Sequence, residues 1–130
     1  MPKGSKNNDI EQLNSTAVKI VGEDNLDRRV EIAEQILKDV PRSPMARYVK
    51  WQAMDDEDPA VNILALSEIV NDARAIIAGL LDELNDEARL LYSTMLSDLA
   101  SCLYFGGKKD EALDIAKEFM DADIDGNTLG

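Results

Sequence analysis

Met95-Leu-Ser-Asp-Leu-Ala-Ser-Cys-Leu-Tyr-Phe-Gly-Gly-Lys-Lys-Asp-Glu-Ala-Leu-Asp-Ile-Ala-Lys-Glu-Phe-Met120 reads as two helices joined by a tight reversal. Ala88, Leu91, Met95, Leu99 and Cys102 recur every three or four residues, which is the period of one helix face. Gly106-Gly107 ends that helix, because glycine takes the left-handed backbone without a Cβ penalty. Lys108-Lys109-Asp110 then leads into a sixth helix with Leu113, Ala116, Phe119 and Met120 apolar. So short a connection forces the two helices to run antiparallel.

The same period runs outward to the N-terminus, and no segment alternates apolar and polar residues as a half-buried strand does. The fold class is therefore all-α. A first helix is expected after Asn8, with Ile10, Leu13, Ala17 and Ile20 on one face and Gly22 closing it. Residues 1–8 are expected to be an unstructured arm. Asn25 can cap a second helix with Leu26, Val30, Ala33, Leu37 and Val40 apolar, which Pro41 stops. Ser43-Pro44 and Asp58-Pro59 are both helix starts: the side-chain oxygen accepts an orphan backbone N–H, and proline, lacking its own N–H, fits the first turn.

The third helix, from Pro44, carries Tyr48, Trp51 and Met54. After it, Asp55-Asp56-Glu57-Asp58 suits the positive end of the next helix, so capping explains these carboxylates better than a metal does. From Pro59 onward, Ile63, Leu66, Val70, Ala73, Ile77, Leu80 and Leu84 are spaced alternately three and four. That spacing predicts one unbroken fourth helix to Leu84, about 39 Å long, with a coiled-coil seam. Ile69 and Ile76 widen the stripe, so this helix is expected to pack on more than one neighbour or on a second chain. Gly79 costs up to about 1 kcal/mol there and marks a close crossing or a small break. Asn85-Asp86 offers the turn into the fifth helix. Six helices then make three hairpins.

With 130 residues, 45% apolar and 31% charged, the chain has the size and composition of one globular domain that needs neither disulfide nor metal. Its net charge of −12 is uneven: residues 1–50 carry 9 Lys/Arg against 8 Asp/Glu, and residues 51–130 carry 5 against 18. A surface this acidic repels phosphate backbones and anionic lipid, so neither nucleic acid nor membrane is an expected partner. Cys102 is the single cysteine and there is no histidine, which suits a reducing, cytoplasmic compartment. The basic start at Lys3 and Lys6 has no apolar stretch after it and does not read as a secretory signal. No run approaches the roughly 18 apolar residues of a membrane span.

The stretch 95–120 resembles a tetratricopeptide repeat, a helix–turn–helix unit of about 34 residues. Leu99 and Ala100 fall where that family places a large and then a small residue, Gly107 falls in the turn, and Asp110-Glu111-Ala112 falls where the second helix begins. Ala100 and Ala112 let paired helices approach closely. Glu31 to Pro41 is similar, more loosely, to a second repeat helix and its closing proline, and the helix from Pro44 would open another repeat. The resemblance covers residues 26–54 and 95–124 and departs from the family over 59–84. It implies antiparallel hairpins stacked as a right-handed solenoid, one domain over residues 9–122, and an acidic tail or link at 123–130. It also implies capture of a protein or peptide along a groove, here at Thr94, Ser97, Ser101 and Tyr104. Those positions lack the lysine and asparagine that carboxylate-clamping members of the family use.

Asp121-Ala-Asp123-Ile-Asp125-Gly126-Asn127 matches the first half of a calcium-binding EF-hand loop, which makes Asp121, Asp123 and Asp125 candidate ligands. Thr128 stands where an aliphatic residue belongs and the closing glutamate would lie beyond Gly130, so no metal or other cofactor is expected. Gly106-Gly107-Lys108 lacks the preceding strand and the glycine spacing of a phosphate loop. Cys102 has no histidine to activate it and falls at core spacing with Leu99. Carboxylate pairs such as Asp82/Glu83 adjoin helix ends and serve capping. Trp51 and Tyr48 could form a stacking platform, but core packing is the expected role, since buried aromatics usually dominate cores. The expectation is a non-catalytic protein-binding module, with homo-oligomerisation through the Ile63–Leu84 seam as the alternative and a calcium-responsive module as a second.

Overall fold

The computed structural model describes residues 2–54 and 57–122, with side chains from Asn8 to Asp121. Its helices are α1 (Pro2–Val21), α2 (Leu26–Asp39), α3 (Pro44–Ala53), α4 (Pro59–Ile77), α5 (Asp86–Phe105) and α6 (Lys109–Ala122). A short 3-10 turn, Leu81–Glu83, joins α4 to α5, and the described residues contain no strand. The start signals work as the sequence implies. Asn25, Ser43, Asp58 and Asn85 each accept a backbone N–H of the first turn, from Arg28 (3.2 Å), Ala46 (3.4 Å), Ala60 (3.0 Å) and Ala88 (2.8 Å). Pro44 and Pro59 occupy the first helical positions, where a missing N–H costs nothing.

Two boundaries differ from expectation. The backbone is helical from Pro2, so the stretch expected as an arm belongs to α1. Pro2 stands where a helix tolerates proline, and no breaker follows it before Val21 except Gly4. The long fourth helix ends at Ile77, because Gly79 takes φ +74 and turns the chain out of the helical path. Leu80 and Leu84 keep their place in the apolar pattern all the same: the 3-10 turn returns Leu84 to the core, where it is buried.

From α2 to α6 each helix packs on the next. Pairing of Trp51 with Asn62 and of Arg47 with Asp72 makes α3 and α4 antiparallel. The short α3 packs on several helices at once. It touches α1, α2, α4 and α5, and Met45, Ala46, Tyr48 and Val49 are fully buried. The expected hairpin of α1 with α2 is not the main contact of either helix. Instead α2 lies chiefly on α3, and α1 reaches past α2 to make its broadest contact with α5. The face of α1 is nevertheless the expected one, with Ile10, Leu13, Ala17 and Ile20 all buried.

An asparagine pair fastens this crossing. The Asn14 carboxamide accepts from the Asn85 N–H (2.9 Å) and donates to the Glu83 carbonyl (3.0 Å), and the Asn85 side chain donates to the Asn14 carbonyl (3.2 Å). Asn85 therefore caps α5 with its oxygen and holds α1 with its nitrogen.

In the seam of α4, Leu66, Val70, Ala73 and Ile77 are buried inside this chain. A second copy could reach them only by displacing the chain's own helices, so the seam is not free to pair with itself. Gly107, at φ +83, makes the α5–α6 reversal. On α6 the inward residues are Ala112, Ile115, Ala116 and Phe119, whereas Leu113 and Met120, expected inside, are exposed. No helix among the described residues is long and apolar enough to cross a membrane.

Candidate functional site

The expected groove residues do share one open face of α5. Ser97, Ser101 and Tyr104 are exposed there. Thr94 is half-buried, and its hydroxyl donates to the Leu90 carbonyl of the same helix (2.6 Å), which leaves it little to offer a ligand as a donor. At the far end of the stripe Tyr104 meets Phe105 edge to face at 5.5 Å between ring centres, with the Lys109 ammonium 5.7 Å from the Tyr104 ring. Aromatics thus end a row of small polar residues. Of the EF-hand ligands, Asp121 is exposed at the end of α6, while Asp123 and Asp125 lie outside the described residues.

A second surface, which the sequence does not announce, is a shallow open cleft. Leu37 of α2, Arg47, Lys50 and Trp51 of α3, Met54 just after it, and Val61, Leu64, Ala65, Glu68 and Ile69 of α4 line a cleft of about 460 Å³. Its lining is mostly apolar, with Arg47, Lys50 and Glu68 as the charged members, and three large apolar side chains stand open to solvent: Met54 at 50%, Val61 at 39% and Leu64 at 66%. Trp51 is half-buried beneath them. Its ring stacks on buried Tyr48 (5.9 Å, 14° between planes) and its indole N–H donates to Asn62 (3.1 Å). The ring is therefore held by both its face and its edge.

Tyr48 is buried in the core, and Trp51 packs half-buried against that core and lines the cleft. The missed signal was phase. Val61 and Leu64 sit beside the Ile63–Leu66 seam on the other side of α4, and read as part of a wide stripe they look like more core.

The titratable groups inside the fold are structural pairs. The Tyr48 hydroxyl donates to Asp98 and lies near Gln52 (3.3 Å). Burial above all, then the hydrogen bond to the Asp98 carboxylate and its charge, pushes the phenol far up, so it stays protonated as a donor. Burial raises the Asp98 carboxyl, which the Tyr48 hydrogen bond partly offsets. Cys102, one turn from Asp98, has its thiol raised by burial and then by the Asp98 charge, the opposite of what an attacking thiolate needs.

On the other side of α5, Arg74 binds Glu118 through two guanidinium nitrogens, one at 2.7 Å, and Tyr92 donates to the same carboxylate at 3.0 Å, tying α4, α5 and α6 together. Burial by itself raises the Glu118 carboxyl, but the hydrogen bonds from Arg74 and Tyr92, with the Arg74 charge, outweigh it and hold the group below its ordinary value. Asp72 is likewise raised by burial and lowered further by Arg42 and Arg47. A carboxylate lowered on folding contributes stability that is complete above its unfolded value, about 4.3 for glutamate, and is lost as pH falls through the folded value. Glu118→Gln is therefore expected to be less stable than the parent at neutral pH and to lose less stability on acidification. Urea melts stepped from neutral pH to about pH 3 measure both, since linkage sets the slope of stability against pH.

Comparisons with known proteins return no match: no family model, no curated protein and no solved structure matches the chain.

Proposed function

We propose that this chain is a non-catalytic protein-binding module, and that its docking surface is the cleft across α2, α3 and α4. One observation carries the reading: Met54, Val61 and Leu64 leave apolar surface in water around a tryptophan that the fold holds rigidly in place. Scattered exposed leucines need no explanation, but a concave group of them over an aromatic anchor is the arrangement of a binding hot spot. Tyr48 with Asp98, and Arg74 with Tyr92 and Glu118, are paired across helices and serve the packing, which supports the non-catalytic reading. A tetratricopeptide-like groove on the open face of α5, at Thr94, Ser97, Ser101 and Tyr104, is the competing location for the same function.

Site-specific photo-crosslinking in cells separates the two locations. A photoreactive side chain at position 64 is expected to give a discrete protease-sensitive adduct, and one at position 101 none. The reverse pattern would move the docking surface to α5, and adducts at neither position would overturn the binding reading. Leu64→Ser is expected to leave the urea midpoint within about 0.5 kcal/mol of the parent, since the side chain is mostly in solvent, and to abolish the adduct formed by a crosslinker at neighbouring position 61.

A further inference from the structure

The chain carries another apolar surface in water, and its shape is the counterpart of the cleft. α6 lays one side on α5, through Ala112, Ile115 and Phe119, and leaves a neighbouring side open: Leu113 is 57% exposed and Met120 64%. With half-buried Ala116 between them, these residues stand at i, i+3 and i+7, the anchor spacing with which an amphipathic helix enters an apolar groove. From Leu113 to Met120 the ridge is about 10 Å long, and the α4 wall of the cleft, from Val61 to Ile69, is about 12 Å at 1.5 Å per residue. One chain therefore displays both a helical ridge and a groove of matching length.

The charges of the two surfaces are complementary. The cleft lining holds two cations, Arg47 and Lys50, against one carboxylate, Glu68. Arg47 binds Asp72 and stands 3.7 Å from Glu68. Lys50 meets Glu34 at 3.3 Å with both side chains about half in solvent, where an ion pair contributes little and exchanges readily for another carboxylate. Beside the ridge, on the flank turned away from Ala112 and Phe119, α6 exposes three carboxylates, Asp110, Asp114 and Asp121, against the single cation Lys117. Lys109, at the start of the ridge, is turned over the Tyr104 ring.

We infer that a second copy of this chain occupies the cleft: α6 of one molecule lies in the α2–α3–α4 cleft of the next, Leu113 and Met120 among Trp51, Met54, Val61 and Leu64, and the α6 carboxylates toward Lys50. The inference rests on the protein-binding reading of this cleft and names the partner. The contact is heterologous, because two different surfaces of the same chain meet, and it repeats head to tail unless the array closes. It leaves the buried seam of α4 intact, since Val61 and Leu64 are on the solvent side of that helix.

Sedimentation equilibrium of the full chain is expected to show self-association, and the single tryptophan, which lines the cleft, to change its emission over the same concentration range. Leu64→Ser damages the cleft, and Leu113→Ser with Met120→Ser damages the ridge, all at side chains more than half in solvent, so parent-like urea midpoints are expected. Each variant is expected to self-associate at least about 10-fold more weakly than the parent, the scale of losing an interface anchor. Mixed in equal amounts, the two are expected to bind each other about as tightly as the parent binds itself, because the intact ridge of one meets the intact cleft of the other. Lys50→Glu is expected to weaken self-association by about 3-fold or more, as a like charge then faces the α6 carboxylates.

A chain that stays monomeric with unchanging Trp51 emission would overturn the inference; a position-64 crosslink to a different protein would then leave the protein-binding reading standing, and no adduct at all would remove both. Self-association that only one of the two variants disrupts, or mixed variants that fail to associate, would mean that like surfaces meet and would equally overturn it.

Discussion

Leu99→Ala is expected to lower the unfolding free energy by about 3 kcal/mol, and Leu66→Ala by about 4, within the range of roughly 2–5 found for buried leucines. Both side chains are buried, Leu66 completely and Leu99 to 3% exposure. The difference between them comes from what each leaves behind. Leu99 lies where α4, α5 and α6 meet, beside a small cleft of about 240 Å³ that it lines with Leu103, Arg74 and Ile115. Removing its isobutyl group enlarges a space that already opens to solvent, so water and the flexible Arg74 can fill part of it. Leu66 has no such opening, and the cavity left by Leu66→Ala stays empty at a cost that grows with its volume. Urea melts of the two variants give the order directly. A near-zero effect for Leu99→Ala would mean that α5 turns another face inward.

Local features of the fold were legible in the sequence because each is set by a few adjacent residues. The four side-chain caps at Asn25, Ser43, Asp58 and Asn85 form where an oxygen-bearing side chain precedes an apolar helix pattern. The buried face of α1 follows from spacing alone. The end of α4 was harder, because an apolar seam that stays in register across Gly79 looks continuous; only the positive φ of that glycine shows the break. On α6 two apolar stripes compete, Leu113 with Met120 and Ala112 with Ile115 and Phe119. The second faces α5. A small residue such as Ala112 permits closer helix contact than a leucine, but periodicity carries no information about distance to a neighbour.

The partner of each helix was not legible for the same reason. Spacing says which side of α1 is buried and is silent on whether α2 or α5 covers it. The candidate site shares this difficulty. The α5 stripe of Thr94, Ser97, Ser101 and Tyr104 could be read off one helix, whereas Leu37, Trp51, Met54 and Leu64 come from three separate elements and become one surface only when α2, α3 and α4 are packed. Met54 looks like a core residue in the sequence because it follows Tyr48 and Trp51 at helical spacing, whereas Leu64 is apolar but lies off the phase of the buried seam. Their exposure is the structural result on which the functional proposal turns.

Ile20→Asp tests the least foreseen feature, the crossing of α1 over α5, and is expected to cost about 3 kcal/mol or more. Three unfavourable terms coincide. Ile20 is 1% exposed, and burying such a side chain is worth roughly 1.5–3 kcal/mol. Its replacement places a carboxylate in that space, which costs further unless the group takes a proton or swings out to water. The new charge also stands in the last turn of α1, the negative end of the helix dipole, where an anion is disfavoured by roughly 0.3–1 kcal/mol. The response is expected to be local. From α2 to α6 successive helices hold one another without α1, and Arg74, Tyr92 and Glu118 join α4, α5 and α6 independently of it. Hydrogen exchange should therefore show fast amides across residues 10–21, weakened protection at Ala88 and Leu91 on α5, and parent-like protection in α4 and α6. Uniform loss of protection in every helix would mean that α1 is part of the cooperative core, and unchanged protection in residues 10–21 would contradict its packing on α5.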